Sequence, residues 1–297
     1  MKQHTWIPRE AFLGLFLCLG SAAYGKTGPG LDTAGIARAL GKKGEVIGET
    51  YKVSFPRSDL KVMVGKVRIK PALALVSWAA FEKADSSALA YGDLVLLQDE
   101  LNPVISKLED NGIEITAIHN HLLHETPRLF YIHFMGHGDD TALAKGLREA
   151  LALTKTPMKP QPPAPAEKTP AVAEQIEDIL GAKGAMSGGV LHVNVPRPDI
   201  HVTMMGTAMP GAMGMSTALN FQLEGKKAAI NGDFMLLGPE VNPVIKALRA
   251  HGIEIAALHN HMLDEEPRLF FMHFWAYGDA VTMAKGLKAA LEAEGRK

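Results

Sequence analysis

The chain has 297 residues, of which 47% are hydrophobic and 21% charged, and its formal net charge is −1. This length and composition fit two globular domains and exclude an intrinsically disordered chain. Because the charges balance, no broad basic surface is available, and we expect no nucleic-acid partner.

The N-terminal segment has the pattern of a secretory signal peptide. Lys2 and Arg9 precede the apolar run 11–20, and small residues lead to a cleavage position expected at Gly25 or two residues earlier. The run is shorter than the roughly 20 apolar residues that a spanning helix needs. We therefore expect residues 1–25 to be removed, leaving a periplasmic or secreted protein without a membrane span. A retained membrane anchor is the alternative.

The single cysteine limits the chemistry of the mature protein. Cys18 lies inside the predicted signal peptide, so the mature chain has no disulfide and no thiolate ligand. Phe16 and Leu17 stand where a lipoprotein signal has a small residue before its cysteine, and we expect no lipid anchor. Any metal site must then use histidine, carboxylate or methionine ligands.

The mature chain begins with a short predicted helix over residues 32–41, with Asp32 as its N-cap and Gly41 as its C-terminal stop. Strand-like runs and two further helical patterns follow. The strands are predicted at 44–55, 60–67, 72–81 and 89–97, and the helices at 104–109 and 141–153.

A proline-rich stretch divides the chain into two similar parts. Residues 154–170 hold six prolines and no apolar periodicity, which predicts an extended linker. The segments on either side match at a constant offset of 140 positions, so we predict repeat 1 over 32–153 and repeat 2 over 171–293. Each repeat is expected to be an α+β unit with an antiparallel sheet, a histidine-bearing β-hairpin and two to three helices. The two repeats are expected to pack as an intramolecular pseudo-dimer.

The most closely repeated segment carries histidines. Residues 111–139 and 251–279 are identical at 18 of 29 positions. The identical positions include three histidines in each copy: His119, His121 and His133 in the first, and His259, His261 and His273 in the second.

Strand alternation predicts that the histidines of each copy converge. With a turn centred on Thr126, His119 faces His133 and His121 faces Tyr131 across a hairpin. This arrangement predicts a three-histidine site in each repeat for a divalent transition metal such as Zn, Cu, Mn or Fe. The alternative is a set of buried, hydrogen-bonded imidazoles that stabilises the hairpin.

Charged residues at the turn are candidates for catalysis. Glu125 and Glu265 are predicted to serve as a base or as a fourth metal ligand, and Glu100 is a second candidate for that ligand. Arg128 and Arg268 follow the turn proline and are predicted to clamp an anionic group. The alternative for these arginines is an ion pair with the neighbouring glutamate.

Three further patterns favour structural roles. Asp93 and Asp233 follow glycine and are predicted to form turns before a strand. Arg57 with Asp59 is typical of a turn with a local salt bridge. The methionines between residues 204 and 215 could bind copper, but such residues more often fill a core.

The repeated segment resembles a known family. The runs Gly-Ile-Glu-Ile-x-Ala-x-His-Asn-His-x-Leu and Glu-x-Pro-Arg-Leu-Phe, followed by His-Phe and Gly-Asp, are similar to the LppY/LpqO family of secreted bacterial proteins. The resemblance covers nearly the whole mature chain and implies export and a duplicated fold, but no particular activity. Named members are described as lipoproteins, a pattern from which the residues before Cys18 depart.

Two hypotheses for function follow. The first is an exported protein with a three-histidine metal site in each repeat that supports metal-dependent hydrolytic or Lewis-acid chemistry. The second is a non-catalytic envelope protein that binds a ligand or partner, with a structural histidine cluster. In either case the partner is expected to be a small molecule or an envelope component.

Overall fold

The structure, a computed structural model, describes residues 30–159 and 169–295. The predicted signal peptide over residues 1–25 and the central part of the predicted linker lie outside the described residues. None of the helices in the two described segments combines the length and the apolar character needed to cross a bilayer.

The first repeat is a six-stranded antiparallel sheet with helices on one face. Its elements are α1 (Thr33–Leu40), β1 (Glu45–Ile47), β2 (Thr50–Pro56), β3 (Met63–Val64), β4 (Val67–Arg68), α2 (Pro71–Ala74), β5 (Val76–Ala84), β6 (Ser87–Leu97), α3 (Gln98–Asp110), β7 (Glu114–His119), β8 (Glu125–Thr126), β9 (Leu129–Gly138) and α4 (Asp140–Leu151). The strand order in the main sheet is β1-β2-β5-β6-β9-β7, and β4-β3-β8 form a small second sheet.

The second repeat has the same architecture. Its elements are α5 (Ala171–Leu180), β10 (Gly184–Ser187), β11 (Val190–Pro196), β12 (Thr203–Met204), β13 (Thr207–Ala208), β14 (Ser216–Glu224), β15 (Lys227–Leu237), α6 (Val241–Ala250), β16 (Glu254–His259), β17 (Glu265–Glu266), β18 (Leu269–Asp279) and α7 (Ala280–Ala293), with 3-10 turns at Gly211–Met213 and Gly238–Glu240. The main sheet has the order β10-β11-β14-β15-β18-β16. The predicted fold of two homologous α+β repeats is confirmed.

The helix ends follow the capping signals in the sequence. The Asp32 side chain accepts a hydrogen bond from the Gly35 amide at the start of α1, and Asp139 does the same for Ala142 at the start of α4. Gly41 ends α1 in the left-handed conformation that glycine adopts without steric cost. The helices then cover one face of each sheet with buried apolar side chains.

The two faces of each sheet have different neighbours because strand residues alternate. In the first repeat, Leu94 and Phe134 pack under the helices. Residues on the opposite face, among them Tyr91 and Met135, pack in one cluster with side chains of the second repeat such as Phe271. The repeats therefore contact each other through the faces of their sheets that the helices leave uncovered.

The methionines of the second repeat lie in this contact between the repeats. Met204, Met209, Met213 and Met215 are buried in the same cluster as Tyr91, whereas Met205 is exposed. Their surroundings are apolar, which agrees with the use of flexible thioethers to fill an irregular core.

The pairing of β7 with β9 differs from the predicted register. Ala117 pairs with His133 and His119 pairs with Tyr131, so the prediction that His119 faces His133 was wrong. The connection between the strands is longer than a tight turn, since its residues Glu125 and Thr126 pair with β3. A shift by two residues leaves each side chain on its face, so the histidines still point to one side.

A β-bulge at Thr116 corrects a second part of that prediction. The register shifts between Ile115 and Ala117, and Ile115 pairs with Phe134 on the helix-covered face of the sheet. Unbroken alternation along this strand would place Ile115 on the same face as His119. The bulge instead lets the same strand contribute apolar residues to the core and histidine to the opposite face.

The predicted turns at Asp93 and Asp233 were also wrong. Asp93 lies in the middle of β6, and Asp233 occupies the equivalent place in β15. In the pairing with the next strand, Asp93 stands opposite His133 and Asp233 opposite His273. Both carboxyl groups therefore lie on the histidine-bearing face of their sheet.

A buried ion-pair network fixes the start of α3. Arg57 is fully buried, and its guanidinium donates to both carboxylate oxygens of Glu100 at 2.9 and 3.1 Å and to the Val95 carbonyl at 2.6 Å. It also forms the expected salt bridge with Asp59 at 3.0 Å. Glu100, considered above as a metal ligand, is bound here instead.

Replacing Arg57 should strongly destabilise the protein. Arg57→Ala leaves the Glu100 carboxylate buried without its charge partner, which typically costs about 3–5 kcal/mol. Arg38→Ala is the matched control, because the Arg38–Asp32 pair is largely exposed and should matter little. Urea unfolding of the two variants measures the difference. Equal midpoints would show that the buried network does not stabilise the fold.

Candidate metal centre between the repeats

The six repeated histidines form a single cluster. The His119 and His259 rings stack with centroids 3.9 Å apart, the His121 and His273 rings lie 4.0 Å apart, and so do those of His133 and His261. Each of these pairs joins the two repeats. The sequence predicted one three-histidine site in each repeat, whereas the structure brings both sets together.

Three groups of histidines present one nitrogen each within 4.8 Å of one another: His119 with His133 and His259, His119 with His121 and His273, and His259 with His261 and His273. The last of these is the predicted trio of the second repeat. The predicted trio of the first repeat is not among the groups found in the described residues, and two of the three groups combine ligands from both repeats.

The contacts between repeats recur in equivalent pairs. His119 and His273 have centroids 5.2 Å apart, and the equivalent pair His133 and His259 has centroids 5.5 Å apart. The pair His121 and His273 and the pair His133 and His261, both with centroids 4.0 Å apart, are equivalent in the same way. The cluster therefore has approximate twofold symmetry, with the stacked His119–His259 pair at its centre.

Each repeat donates a hydrogen bond to the backbone at the second histidine of the other repeat's His-Asn-His segment. The Asn231 amide donates to the His121 carbonyl at 2.6 Å, and the Thr116 hydroxyl donates to the His261 carbonyl at 2.6 Å. The position equivalent to Asn231 in the first repeat is Tyr91, whose ring stacks on His133 with centroids 5.6 Å apart. The two halves of the cluster thus have the same histidines but differ in the side chains that contact them.

Backbone carbonyls fix the tautomer of two histidines. Nδ1 of His133 lies 3.1 Å from the Gly92 carbonyl oxygen, and Nδ1 of His273 lies 2.9 Å from that of Gly232. A carbonyl only accepts, so each Nδ1 carries the hydrogen and each Nε2 keeps its lone pair, and the Tyr91 hydroxyl, 3.1 Å from Nδ1 of His133, then accepts from that same hydrogen. Both Nε2 atoms are buried and have no hydrogen-bond partner among the described residues. This is the arrangement of metal-binding histidines.

Glycine at positions 92 and 232 allows this arrangement. A Cβ on Gly92 would overlap the Trp78 carbonyl oxygen and the Phe134 ring, and one on Gly232 would overlap the Ala218 carbonyl oxygen and the Phe274 ring. The strands approach more closely here than any other residue permits. The requirement explains why glycine precedes each buried aspartate in the middle of a strand.

Asp93 and Asp233 are members of the cluster that the sequence interpretation missed. The Asp93 carboxylate lies 3.1 Å from Nε2 of His121, and the Asp233 carboxylate lies 3.1 Å from Nε2 of His261. Asp233 is also 4.0 Å from Nε2 of His273. The available signal was the recurrence of Gly-Asp at the same offset as the histidines.

Burial sets the protonation states of the cluster. It lowers the pKa of His121 to about 3 and that of His273 to about 4, and it lowers the pKa of His119 well below its usual value, with neighbouring imidazoles adding to the effect. Burial also raises the pKa of Asp93, and the nearby Asp233 carboxyl adds to that shift. The imidazoles are therefore neutral near pH 7, which is the form that coordinates metals.

The predicted catalytic residues lie in ion pairs beside the turn. Arg128 is 3.3 Å from Glu125, and Arg268 is 3.3 Å from Glu265. Each glutamate also accepts a hydrogen bond from a backbone amide, that of Leu129 for Glu125 at 3.2 Å. The roles of these residues as base and anion clamp stay predictions.

A cleft of about 700 Å³ between the repeats reaches the cluster. Its lining includes His121, His133, His261, His273 and both aspartates, together with Asn194, Asn220 and Asn231. The Lys52 ammonium lies over the Trp78 ring at 4.1 Å and donates to the Ala212 carbonyl at 2.8 Å. Burial lowers the pKa of Lys52 to about 8. The cleft is large enough for a small organic molecule.

Fold and site together define a tandem two-repeat α+β protein with a buried cluster of histidines and aspartates between its repeats. The chain belongs to the family described as Domain of Unknown Function (DUF1259), which matches twice, over residues 34–153 and 174–293. No curated protein matches the chain with significance.

Similar solved structures include the trimeric bacterial microcompartment shell protein PduB, with 13% identity over 84% of this chain and 89% of that chain and a TM-score of 0.20. EtuB from Clostridium kluyveri has 12% identity over 84% of this chain and 89% of its own, with a TM-score of 0.19. At these TM-scores the likeness carries no argument about function.

Acid should destabilise the metal-free protein, and less so without His121. An unfolded histidine titrates near 6.5, while the pKa of folded His121 is about 3. The stabilisation from its neutral form is complete above about pH 6.5 and is lost as the pH falls towards 3. At pH 5 the loss of folding free energy from His121 amounts to about 2 kcal/mol. Between pH 7.5 and pH 5, His121→Asn should lose about that much less stability than the wild type in urea titrations.

His201→Asn is the control, because this exposed imidazole meets water in the folded and the unfolded state alike. The buried aspartates act with the opposite sign: burial raises the pKa of Asp93, so its contribution is lost as the pH rises. The aspartates are present in both the wild type and His121→Asn, so the difference in pH dependence between these two proteins reports on His121 alone. Identical pH dependence in wild type and His121→Asn would contradict the prediction.

Proposed function

We propose that this is an exported metalloprotein whose divalent transition-metal centre lies between its two repeats and acts on a small molecule in the adjoining cleft. The observation that carries the proposal is the convergence of six neutral imidazoles from both repeats, four of them buried and two, His121 and His259, partly exposed. His133 and His273 direct Nε2 lone pairs into the cluster, where the described part of the protein supplies no donor for them.

The donor set fits such a metal. Nε2 of His121 lies 3.0 Å from Nε2 of His119 and 3.1 Å from the Asp93 carboxylate. One hydrogen on His121 can satisfy only one of these two contacts. Neighbouring ligands of a single ion have similar separations, since metal–nitrogen bonds measure about 2.0–2.1 Å. Imidazole with carboxylate suits Zn, Cu, Mn or Fe.

When bound, the metal supplies Lewis-acid polarisation of a substrate oxygen and a lowered pKa for coordinated water. The chain's own residues then have distinct tasks. The histidines would hold the ion, and the asparagines that line the cleft would orient the substrate. Asp93 and Asp233 are the carboxylates placed to hold a proton at the cluster. Glu125 and Glu265 remain proposed as bases and Arg128 and Arg268 as anion clamps, roles that require their ion pairs to open.

Metal should stabilise the folded protein. A ligand that binds only the folded state adds roughly 2.7 kcal/mol at a hundredfold excess over its Kd. Zn²⁺ or Cu²⁺ added at about pH 7.5 to chelator-treated protein should therefore raise the Tm by several degrees. At about pH 5 the shift should persist, because burial lowers the pKa of His121 to about 3 and that of His273 to about 4, and it should shrink only as the pH falls towards those values. Differential scanning calorimetry measures both shifts.

The double substitution His121→Ala with His261→Ala should abolish the Tm shift. The matched control is His201→Ala with His251→Ala, which removes two exposed imidazoles and should keep it. Circular dichroism checks that both variants retain their secondary structure. A chelated wild type that responds to no first-row metal would eliminate the proposed function.

A second candidate is a non-catalytic ligand-binding protein with a structural histidine cluster. The observation in its favour is that both predicted bases are paired with arginine and are not among the residues that line the cleft. On this alternative a ligand enters the cleft, and metal has no effect on stability. The calorimetric experiment therefore separates the two candidates.

We further propose that the protein is an LppY/LpqO-like member of its family and is periplasmic or secreted. The supporting observations are the signal-peptide pattern and the His-Asn-His and Glu-x-Pro-Arg-Leu-Phe runs in both repeats.

Mass spectrometry of the envelope or secreted fraction tests the proposed export. The mature chain should begin near Ala23–Lys26 and carry no lipid, since Phe16 and Leu17 do not form a lipoprotein signal. A chain that begins at an acylated Cys18 would contradict the absence of lipid, and an uncleaved chain in the cytoplasmic fraction would contradict export.

A further inference from the structure

We infer that the cluster is built for two metal ions, and that each ion takes the His-x-His pair of one repeat and the third histidine of the other. The first ligand set is His119, His121 and His273, and the second is His259, His261 and His133. The inference rests on the proposed function and specifies the number of ions and the partition of their ligands.

The number of donors exceeds what one ion accepts. Six imidazoles and two carboxylates converge on the cluster, and all of them are buried or nearly so. Zinc at a structural site takes four ligands, and the octahedral geometry of other divalent ions takes six. Eight donors suffice for two ions with four ligands each.

The central pair of rings is spaced like a pair of metal ions. His119 and His259 stack face to face, with centroids 3.9 Å apart and planes inclined by only 13°. An imidazole lone pair lies in the plane of its ring, so two face-to-face rings direct their lone pairs side by side, although the nitrogens of His119 and His259 also lie within 4.8 Å of that of His133. Metal ions in two-metal sites lie about 3.5–4 Å apart, a spacing that matches this stack.

The remaining rings divide into two sets with the same geometry. In the first set, the His119 centroid lies 4.9 Å from that of His121 and 5.2 Å from that of His273, and the latter two lie 4.0 Å apart. In the second set, the corresponding distances are 5.1, 5.5 and 4.0 Å. Each set draws ligands from both repeats, which is the exchange that we infer.

The alternative, in which each repeat keeps its own three histidines, fits the first repeat poorly. It requires His119, His121 and His133 to share an ion, and these three are not among the described histidine groups whose nitrogens lie within 4.8 Å of one another. The exchanged set replaces His133 by His273, whose nitrogen lies within 4.8 Å of those of His119 and His121. The second repeat's own trio does form such a group, and there the exchanged set rests on its ring spacings.

The carboxylates add one donor to each set. Asp93 lies 3.1 Å from His121 in the first set, and Asp233 lies 3.1 Å from His261 in the second. Asp233 is also 4.0 Å from Nε2 of His273, a member of the first set. Asp233 is therefore placed between the two sets, where carboxylates bridge metal pairs.

Metal stoichiometry of the full chain tests the number of ions. Chelator-treated protein is dialysed against excess Zn²⁺, and the bound metal is measured by inductively coupled plasma mass spectrometry. We expect two ions per chain. In the Cu²⁺- or Mn²⁺-loaded protein, electron paramagnetic resonance should show a spin-coupled pair. One ion per chain would overturn the inference and leave the proposed function intact, and no bound ion would overturn both.

Two double variants test the partition of the ligands. With exchanged sets, His121→Ala plus His273→Ala damages only the first site, and the chain should keep one ion without spin coupling. His121→Ala plus His133→Ala damages both sites and should leave none. With sets confined to single repeats the two results are reversed, and that reversal would overturn the exchange. Loss of both ions in both variants would contradict two ligand sets that bind independently of each other. The number of ions is measured on the wild type and does not depend on either variant.

Discussion

The burial of polar side chains between two sheets is the constraint on which the rest of this structure depends. In each repeat the helices cover one face of the sheet, and the other face of the sheet packs against the other repeat. Apolar clusters containing Tyr91 and Phe271, and Tyr131 and Trp275, close this contact around the histidines. The same exclusion of water that lowers the pKa of the imidazoles leaves their inward nitrogens without solvent, and each unsatisfied buried donor or acceptor costs about 1–3 kcal/mol. An ion bound by those atoms would offset this cost.

The periodic features of the fold were predictable from the sequence because they are local. The constant offset of the repeats and the cap at Asp32 appear where the pattern placed them, whereas the strand predicted at 72–81 begins as the helix α2 and the strand predicted at 60–67 is replaced by the short strands β3 and β4. The register of β7 with β9 was not predictable from the sequence, since the bulge at Thr116 and the pairing of Glu125 with β3 depend on contacts distant in sequence. The face of the histidines was nevertheless right, because a shift of two residues preserves it.

The candidate site was predictable only in part. The six histidines were evident from their repetition, but Asp93 was not, because a glycine before an aspartate is the usual signature of a turn. Only the close approach of the Trp78 backbone to Gly92 explains why this pair lies inside a strand. The sharing of the cluster between repeats could not be read from periodicity, which describes one sheet and not the way that two sheets meet.

The different supports of the two halves have an evolutionary consequence. One repeat brings three histidines and one aspartate, so a single-repeat ancestor would have needed two copies to complete the cluster, and both copies would have carried identical side chains. Fusion into one chain makes the pairing independent of protein concentration. It also allows position 91 to be tyrosine while its counterpart, position 231, is asparagine that holds the opposite histidine loop. Gene fusion thus permits an asymmetric environment around a nearly symmetric cluster, which no homodimer of identical subunits offers.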